Sequence, residues 1–210
     1  MTTPETLRER KQRRTRDGII ESAMALFDER GFDGVTVNEI AERAEIGRTT
    51  FFRYFSDKQE VLFAEDDALL SVLTTAVDKA ARRVAPIGDN LDAALAVVRA
   101  GLHALAEVIV SQAAPWLSLR ERLMRENPAL NARNLLKERR YLQTSAEQLV
   151  AHGSTAETAA LAAGVAAACF LTARITTAAD PGRLAEDVDA AFSRIAKLGV
   201  GLTPGQTPAE

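Results

Sequence analysis

The chain has one cysteine, Cys169, and two histidines, His103 and His152, in 210 residues. A lone thiol cannot close an internal disulfide, so the expected setting is the cytoplasm. Nothing basic lies near Cys169 in sequence, which makes it an inert buried thiol rather than a redox sensor. So few soft ligands make a zinc site of the usual kind hard to assemble. His103 and Glu107 have the spacing of a metal pair on a helix, yet no H-E-x-x-H or E-x-x-H accompanies them. A surface ion pair is the better expectation. Also missing are G-x-x-x-x-G-K-[ST], G-x-G-x-x-G and G-x-S-x-G. No catalytic residue, metal or cofactor is therefore expected, and the chain reads as a non-enzyme. An uncharged apolar run of about 18 residues is lacking too, so no membrane span is predicted. The charged N-terminus has no apolar h-region and so no secretory signal. Strand-like alternation and internal repeats are absent.

What is present suits a helical globular protein, with 47% hydrophobic and 26% charged residues. The length allows one or two domains and a sizeable core. A first helix is predicted from about Arg16 to Arg30, with Ile19, Ile20, Ala23, Leu26 and Phe27 on one side and Gly31 as its stop. The richest segment runs from Thr36 to Lys58. Thr36 and Glu39 form a T-x-x-E capping box, and Val37, Ile40, Ala41 and Ala44 make one face of a short helix. Glu45, Ile46 and Gly47 make a turn, with Gly47 able to take up dihedrals that a bulkier residue would resist. A second short helix from about Arg48 to Phe55 turns Phe51 and Phe55 to the core. Its outward set is Thr49, Thr50, Phe52 and Arg53, with Tyr54 at the margin. Two aromatics beside Arg53 and Lys58 are an expensive combination to leave in water. The pattern is that of a helix-turn-helix whose second helix enters the major groove.

The net charge of −3 opposes nucleic-acid binding only on average. Between Arg8 and Arg16 lie Arg8, Arg10, Lys11, Arg13, Arg14 and Arg16 against the single acid Glu9, a local balance of +5. Such a run is either a solvated tail or an arm that tracks phosphates or the minor groove.

Residues from about Thr15 to Phe63 resemble the DNA-binding domain of the TetR family of one-component transcriptional regulators. The resemblance is carried by Ala23, Leu26 and Phe27, by Arg30, Gly31 and Phe32, by Thr36, Val37, Ile40 and Ala41, and by Tyr54, Phe55 and Lys58. It covers the first quarter to third of the chain; the rest matches in length and helical character. Phe52 departs from the family, which usually carries a tyrosine there whose hydroxyl touches a phosphate. The resemblance implies a homodimer that binds a palindromic double-stranded operator, probed by a small, mostly apolar effector, with repression as the default. Two alternatives are a helix-turn-helix protein without an effector and a helical protein–protein adaptor.

The expected architecture is all-α with about nine helices: a basic arm (1–15), a three-helix DNA-binding domain (16–60), a ligand-binding and dimerisation bundle (61–198) and a disordered tail (199–210). The fourth helix is predicted from Asp57 to Ala85, opened by a Ser56/Gln59 box, and the fifth is capped by Asp89. A sixth opens at Pro115 and breaks near Asn127. A seventh covers about Ala129 to Ala151. The eighth is boxed by Ser154 and Glu157, and the ninth runs from Asp180 to Leu198.

Arg48 is assigned to direct base readout, and Thr49 and Thr50 to a base, a thymine methyl or a phosphate. Arg53 reaches a base edge or the backbone, and Phe52 packs on sugar or methyl. Thr36, Tyr54 and Lys58 hold phosphates. The effector candidates are Phe63, His103, Trp116, Met124 and Phe170, each also readable as ordinary core. Ala163 and Ala167 on the small-residue eighth helix, with Val188, Phe192 and Ile195 on the ninth, are the dimer-interface candidates.

Overall fold

The computed structural model describes residues 6–177 and 180–198, and every named element among them is helical. The order is α1 (Leu7–Arg30), α2 (Val37–Arg43), α3 (Arg48–Tyr54), α4 (Lys58–Leu62) and α5 (Asp66–Ala81), then α6 (Leu91–Glu126), α7 (Pro128–Ala151) and α8 (Ala156–Thr176). A short 3-10 turn, Pro181–Arg183, leads into α9 (Leu184–Leu198). The tail expected at 199–210 lies outside the described residues.

Several boundaries differ from expectation. The basic run is not an arm: α1 already begins at Leu7, closed by a second capping box in which Glu9 N–H donates to Thr6 Oγ1 and Thr6 N–H to Glu9 Oε2. The expected fourth helix is interrupted after Leu62 and resumes at Asp66 as α5. Pro115, expected to open a helix, lies inside the 36-residue α6. A proline removes one intrahelical bond, and here the turns on either side are held by buried Leu102, Leu105, Leu119 and Leu123. Three caps sit one residue later than expected. Asp57 Oδ1 accepts from Glu60 N–H at 2.7 Å, Asn90 Oδ1 from Ala93 N–H at 3.0 Å, and Thr155 Oγ1 from Thr158 N–H at 3.3 Å.

The chain divides into two compact units. The first comprises residues 1–66 together with 119–134, so the end of α6 and the start of α7 belong with helices α1–α4. The expected division after residue 60 missed that second segment. The core of this unit joins Ile19, Leu26, Phe27, Phe32, Val35, Ile40, Phe51, Phe55, Val61 and Phe63 with Leu123, Met124 and Leu130. Each such side chain, fully buried, is worth about 1.5–3 kcal/mol against exposure.

The second unit comprises residues 67–118 and 135–210. Leu73 and Val77 of α5, Val98 and Leu105 of α6, Leu149 of α7, Ala162, Ala166 and Cys169 of α8, and Leu184, Val188 and Phe192 of α9 form one core. Burial pushes the Cys169 thiol up in pKa. Gly101 lets α5 and α6 approach closely: a Cβ there would lie 2.5 Å from Val77 Cγ2 and 3.0 Å from Leu73 Cδ1. Leu91–Ser111 and α8, each interrupted by charges, are long and apolar enough to cross a membrane by length and composition alone. Both contribute buried residues to this core, and core helices pass the same test.

Candidate nucleic-acid interface

The interface is built outward from two rigid local motifs. Thr36 N–H donates to Glu39 Oε2 at 2.8 Å and Glu39 N–H donates to Thr36 Oγ1 at 3.3 Å, which fixes the start of α2. The Thr36 amide, then its hydroxyl, hold the Glu39 carboxyl below its ordinary range. Arg30 adds an ion pair to Glu39 at 2.8 Å, and Arg43 pairs with Glu29 at 2.7 Å. At the other end of α2, Ile46 N–H donates to Ala41 O at 2.9 Å and Glu45 N–H to Glu42 O at 3.0 Å. This is a Schellman closure, and it puts Glu45 in the left-handed region with φ 53°. Gly47, which is able to take that conformation, is extended (φ −75°, ψ 150°) and serves as the N-cap of α3.

Helix α3 is seated by Phe51 and Phe55, both buried, with ring centroids 5.9 Å apart. Arg48, Thr49, Phe52 and Arg53 are exposed, and Thr50 and Tyr54 are half-buried. Phe52 is 45% exposed and meets Phe51 edge-on at 5.5 Å. The Arg48 guanidinium lies 5.4 Å from the Phe52 ring centroid and that of Arg53 lies 5.3 Å from Tyr54. Rings thus steady both cations, and α3 itself carries no acid. Arginine stands at the first residue of α3 and again one before its last.

Two assigned residues have other partners. Lys58 Nζ donates to Phe32 O and Val35 O, each at 2.7 Å, and stands 4.4 Å from the Phe32 ring centroid. Its ammonium ties α4 to the α1–α2 connection with two of its three donors. Arg16, counted in the basic run, pairs with Glu65 at 2.7 Å, also donates to Ala64 O, and lies over Phe55. Thr36 remains exposed, with its hydroxyl donating to Glu39 at 2.8 Å.

Sequence reasoning missed the segment 119–134. Arg122 pairs with Asp28 at 2.7 Å and Arg120 with Asp66 at 3.3 Å. Arg133 reaches Asp57 at 3.5 Å and Gln59 at 3.4 Å, and Asn127 donates to Asp33 at 3.2 Å. Arg120 and Arg133 also stack on the Phe63 ring at 5.1 and 5.5 Å. These partners lie 54 to 94 residues apart, beyond any local sequence signal.

The effector candidates are divided between the two units. Phe63 and Met124 are buried in the first unit, whereas His103, Trp116 and Phe170 belong to the second. His103 sits between Glu107 at 3.5 Å and Asp189 at 3.4 Å, with its side chain 43% exposed. Trp116 and Phe170 are half-buried. Of the dimer candidates, Ala163, Val188 and Phe192 are buried within their own chain, in which α8 and α9 pack on each other. Ala167 and Ile195 are exposed.

A short capped helix, a Schellman turn and an aromatic-seated second helix with an arginine-bearing outer face define a helix-turn-helix DNA-binding domain. Residues 19–64 match the family described as bacterial regulatory proteins, tetR family. The HTH-type transcriptional regulator TcmR of Streptomyces glaucescens is 42% identical over 88 residues, 40% of this chain and 35% of that protein. The biofilm operon icaADBC HTH-type negative transcriptional regulator IcaR of Staphylococcus epidermidis is 33% identical over 46 residues, 22% of this chain and 25% of that protein. The chain thus spans about a third or less of the length of these relatives. SmeT in complex with triclosan has the same fold at a TM-score of 0.61 and 20% identity, over 93% of this chain and 98% of that one. Thermus thermophilus FadR with lauroyl-CoA does so at 0.51 and 22% identity, over 93% and 98%. Residues 19–64 thus match the helix-turn-helix domain of the tetR family, and the rest of the chain shares the fold of the solved structures.

Proposed function

We propose that the chain is a transcriptional regulator, a repressor by analogy with IcaR, that acts in the cytoplasm. It binds a palindromic operator as a homodimer and is released by a small, mostly apolar effector. The observation that carries the DNA arm is the outer face of α3, where Arg48, Thr49, Thr50, Phe52 and Arg53 stand on a helix seated by Phe51 and Phe55. In this reading Arg48 reads a base edge, with guanine O6 and N7 the matching acceptors. Thr36, Tyr54 and Arg53 fix register on phosphates, and Phe52 offers its ring to sugar or a thymine methyl.

The dimer arm rests on α8, whose outer stripe Leu161, Gly164, Ala168, Leu171 and Ile175 follows one helix face; Leu161, Leu171 and Ile175 are 52%, 50% and 69% exposed. Such a row has the chemistry to meet its own copy across a two-fold axis, with Gly164 admitting close approach. The effector arm rests on the second unit, where Val108, Ile109, Val165 and Phe170 are partly buried apolar groups on the core.

Fluorescence anisotropy against the DNA flanking its own coding region, at two salt concentrations, tests the reading. Tight binding at low salt that weakens steeply as salt rises is expected. Salt-insensitive binding, or none at low salt, refutes it.

A further inference from the structure

Among the described residues one buried side-chain oxygen has no hydrogen-bond partner: Oε1 of Gln148 on α7. Native folds rarely leave a buried acceptor unserved, because it forfeits its hydration for nothing. Its neighbours on the helix are polar as well. Tyr141, Ser145 and Gln148 recur at helical spacing and share a face. Ser145 is buried, and Tyr141 is half-buried against the core of the second unit.

Two ion pairs join α5 to this part of the chain. Arg140 pairs with Asp67 at 2.9 Å and His152 meets Asp78 at 3.0 Å, so the two helices run parallel between two ionic staples. Counting back four residues from the His152–Asp78 staple on each helix sets Thr74 level with Gln148. The Thr74 hydroxyl spends its proton on Ser71 O of its own helix, at 3.0 Å, and keeps only lone pairs for a neighbour. At this level the α5–α7 seam therefore offers acceptors, Gln148 Oε1 and Thr74 Oγ1. Leu73, Val77 and Ala146, on the same two helices, belong to the apolar cluster of the second unit. The acids beside the seam are already engaged, Asp67 by Arg140 and Asp78 by both His152 and Arg82. A neutral hydroxyl suits the seam better than an ammonium.

We propose that Gln148 is the polar anchor of the effector site and accepts a hydrogen bond from a hydroxyl on an otherwise apolar effector held in the α5–α7 seam. This rests on the effector arm of the function proposed above and names its ligand class, an apolar alcohol or phenol.

The test uses the full chain and the variants Gln148→Leu and Gln148→Met, with para-propylphenol and its methyl ether as probes. Without a probe, both variants melt about 2–4 °C above the wild type, because the unserved acceptor is gone. The phenol raises the wild-type melting temperature, and its apparent affinity falls by about tenfold or more in the variants. The methyl ether, with no proton to donate, binds wild type no better than it binds the variants. Variants that melt lower without a probe overturn the proposal. So does equal binding of phenol and ether to wild type, and so does a phenol that leaves wild-type melting unmoved, which assigns the oxygen to solvent. DNA binding on the same preparations separates the two claims. A chain that binds its DNA with salt sensitivity, yet gives any of these three results, loses the hydroxyl anchor and keeps the DNA-binding function. A chain that binds no DNA loses that function whatever the probes do.

Discussion

Replacing Lys58 by methionine keeps the hydrocarbon stem and deletes the ammonium. The structure then loses two donated bonds of 2.7 Å, to Phe32 O and Val35 O, and the cation over the Phe32 ring. A net hydrogen bond from a charged donor contributes about 1.5–3 kcal/mol, and a partly exposed cation–π contact about 0.5–1 kcal/mol. Lys58 is part-buried, so water can rehydrate some of what is exposed, and the expected loss is about 2–4 kcal/mol. That corresponds to a fall in melting temperature of roughly 5–10 °C for a chain of this size. Thermal unfolding followed by circular dichroism reads it directly. The same variant, kept folded at low temperature, separates a structural lysine from a phosphate contact. Losing one phosphate contact reduces the slope of log K against log salt by about 0.9. The expected result is a large drop in stability with the salt slope unchanged. A variant as stable as wild type, with its slope reduced by about one, refutes this placement of Lys58.

Arg48→Ala is expected to cost about 1–3 kcal/mol of operator affinity and to relax selectivity at one base pair; equal loss on all sequences in a competition assay refutes base readout. Glu45 holds φ 53° at the Schellman position, so Glu45→Gly is expected to raise stability by about 1 kcal/mol, read by urea unfolding, and a fall refutes it. Gly101→Ala gains about 1 kcal/mol of helix propensity but drives a Cβ to 2.5 Å from Val77 Cγ2. Overpacking costs about 1–3 kcal/mol, so a net loss of stability is expected, and a gain on urea unfolding sinks the close-approach argument. Glu39 titrates below 4.5 in the fold, so its contribution is present above 4.5 and is lost as pH falls through the folded value. Acid unfolding of Glu39→Gln is therefore expected to lack that part of the pH dependence, and an unchanged acid limb refutes it.

The elements were legible where the determinants are neighbours in the chain. The Thr36/Glu39 box, the Phe51/Phe55 seat and the exposed cluster on α3 follow from spacing alone, and the structure has all three. Caps were legible to within one residue. Ser56-Asp57, Asp89-Asn90 and Ser154-Thr155 are each two adjacent residues able to cap, and the second does so each time. Propensity cannot rank such pairs, because the choice depends on the angle at which the preceding chain arrives. The turn misled for a different reason. Gly47 has the freedom, but the closure of α2 puts the left-handed position two residues earlier, on Glu45. The carbonyl partners of Lys58, Phe32 and Val35, were not legible because they are 26 and 23 residues away.

The largest gap concerns charge. The chain is acidic overall, yet the helix-turn-helix has a basic outer face, and the segment 119–134 accounts for much of the difference. Asp28, Asp57 and Asp66 are matched by Arg122, Arg133 and Arg120, and Glu29, Glu39 and Glu65 by Arg43, Arg30 and Arg16. The exposed pairs among these, such as Arg122–Asp28 and Arg43–Glu29, are each worth only about 0–1 kcal/mol, so their effect on stability is small. Their effect on the field is larger, because a paired carboxylate contributes little potential beyond a Debye length, about 8 Å at physiological salt. With these acids screened at short range, the cations that remain at the surface of α3 are Arg48 and Arg53, which face rings instead of carboxylates among the described residues. Half of the neutralising arginines come from a segment more than fifty residues beyond α5's start, which is why summing charge along the first 66 residues misjudges the surface that the folded unit presents.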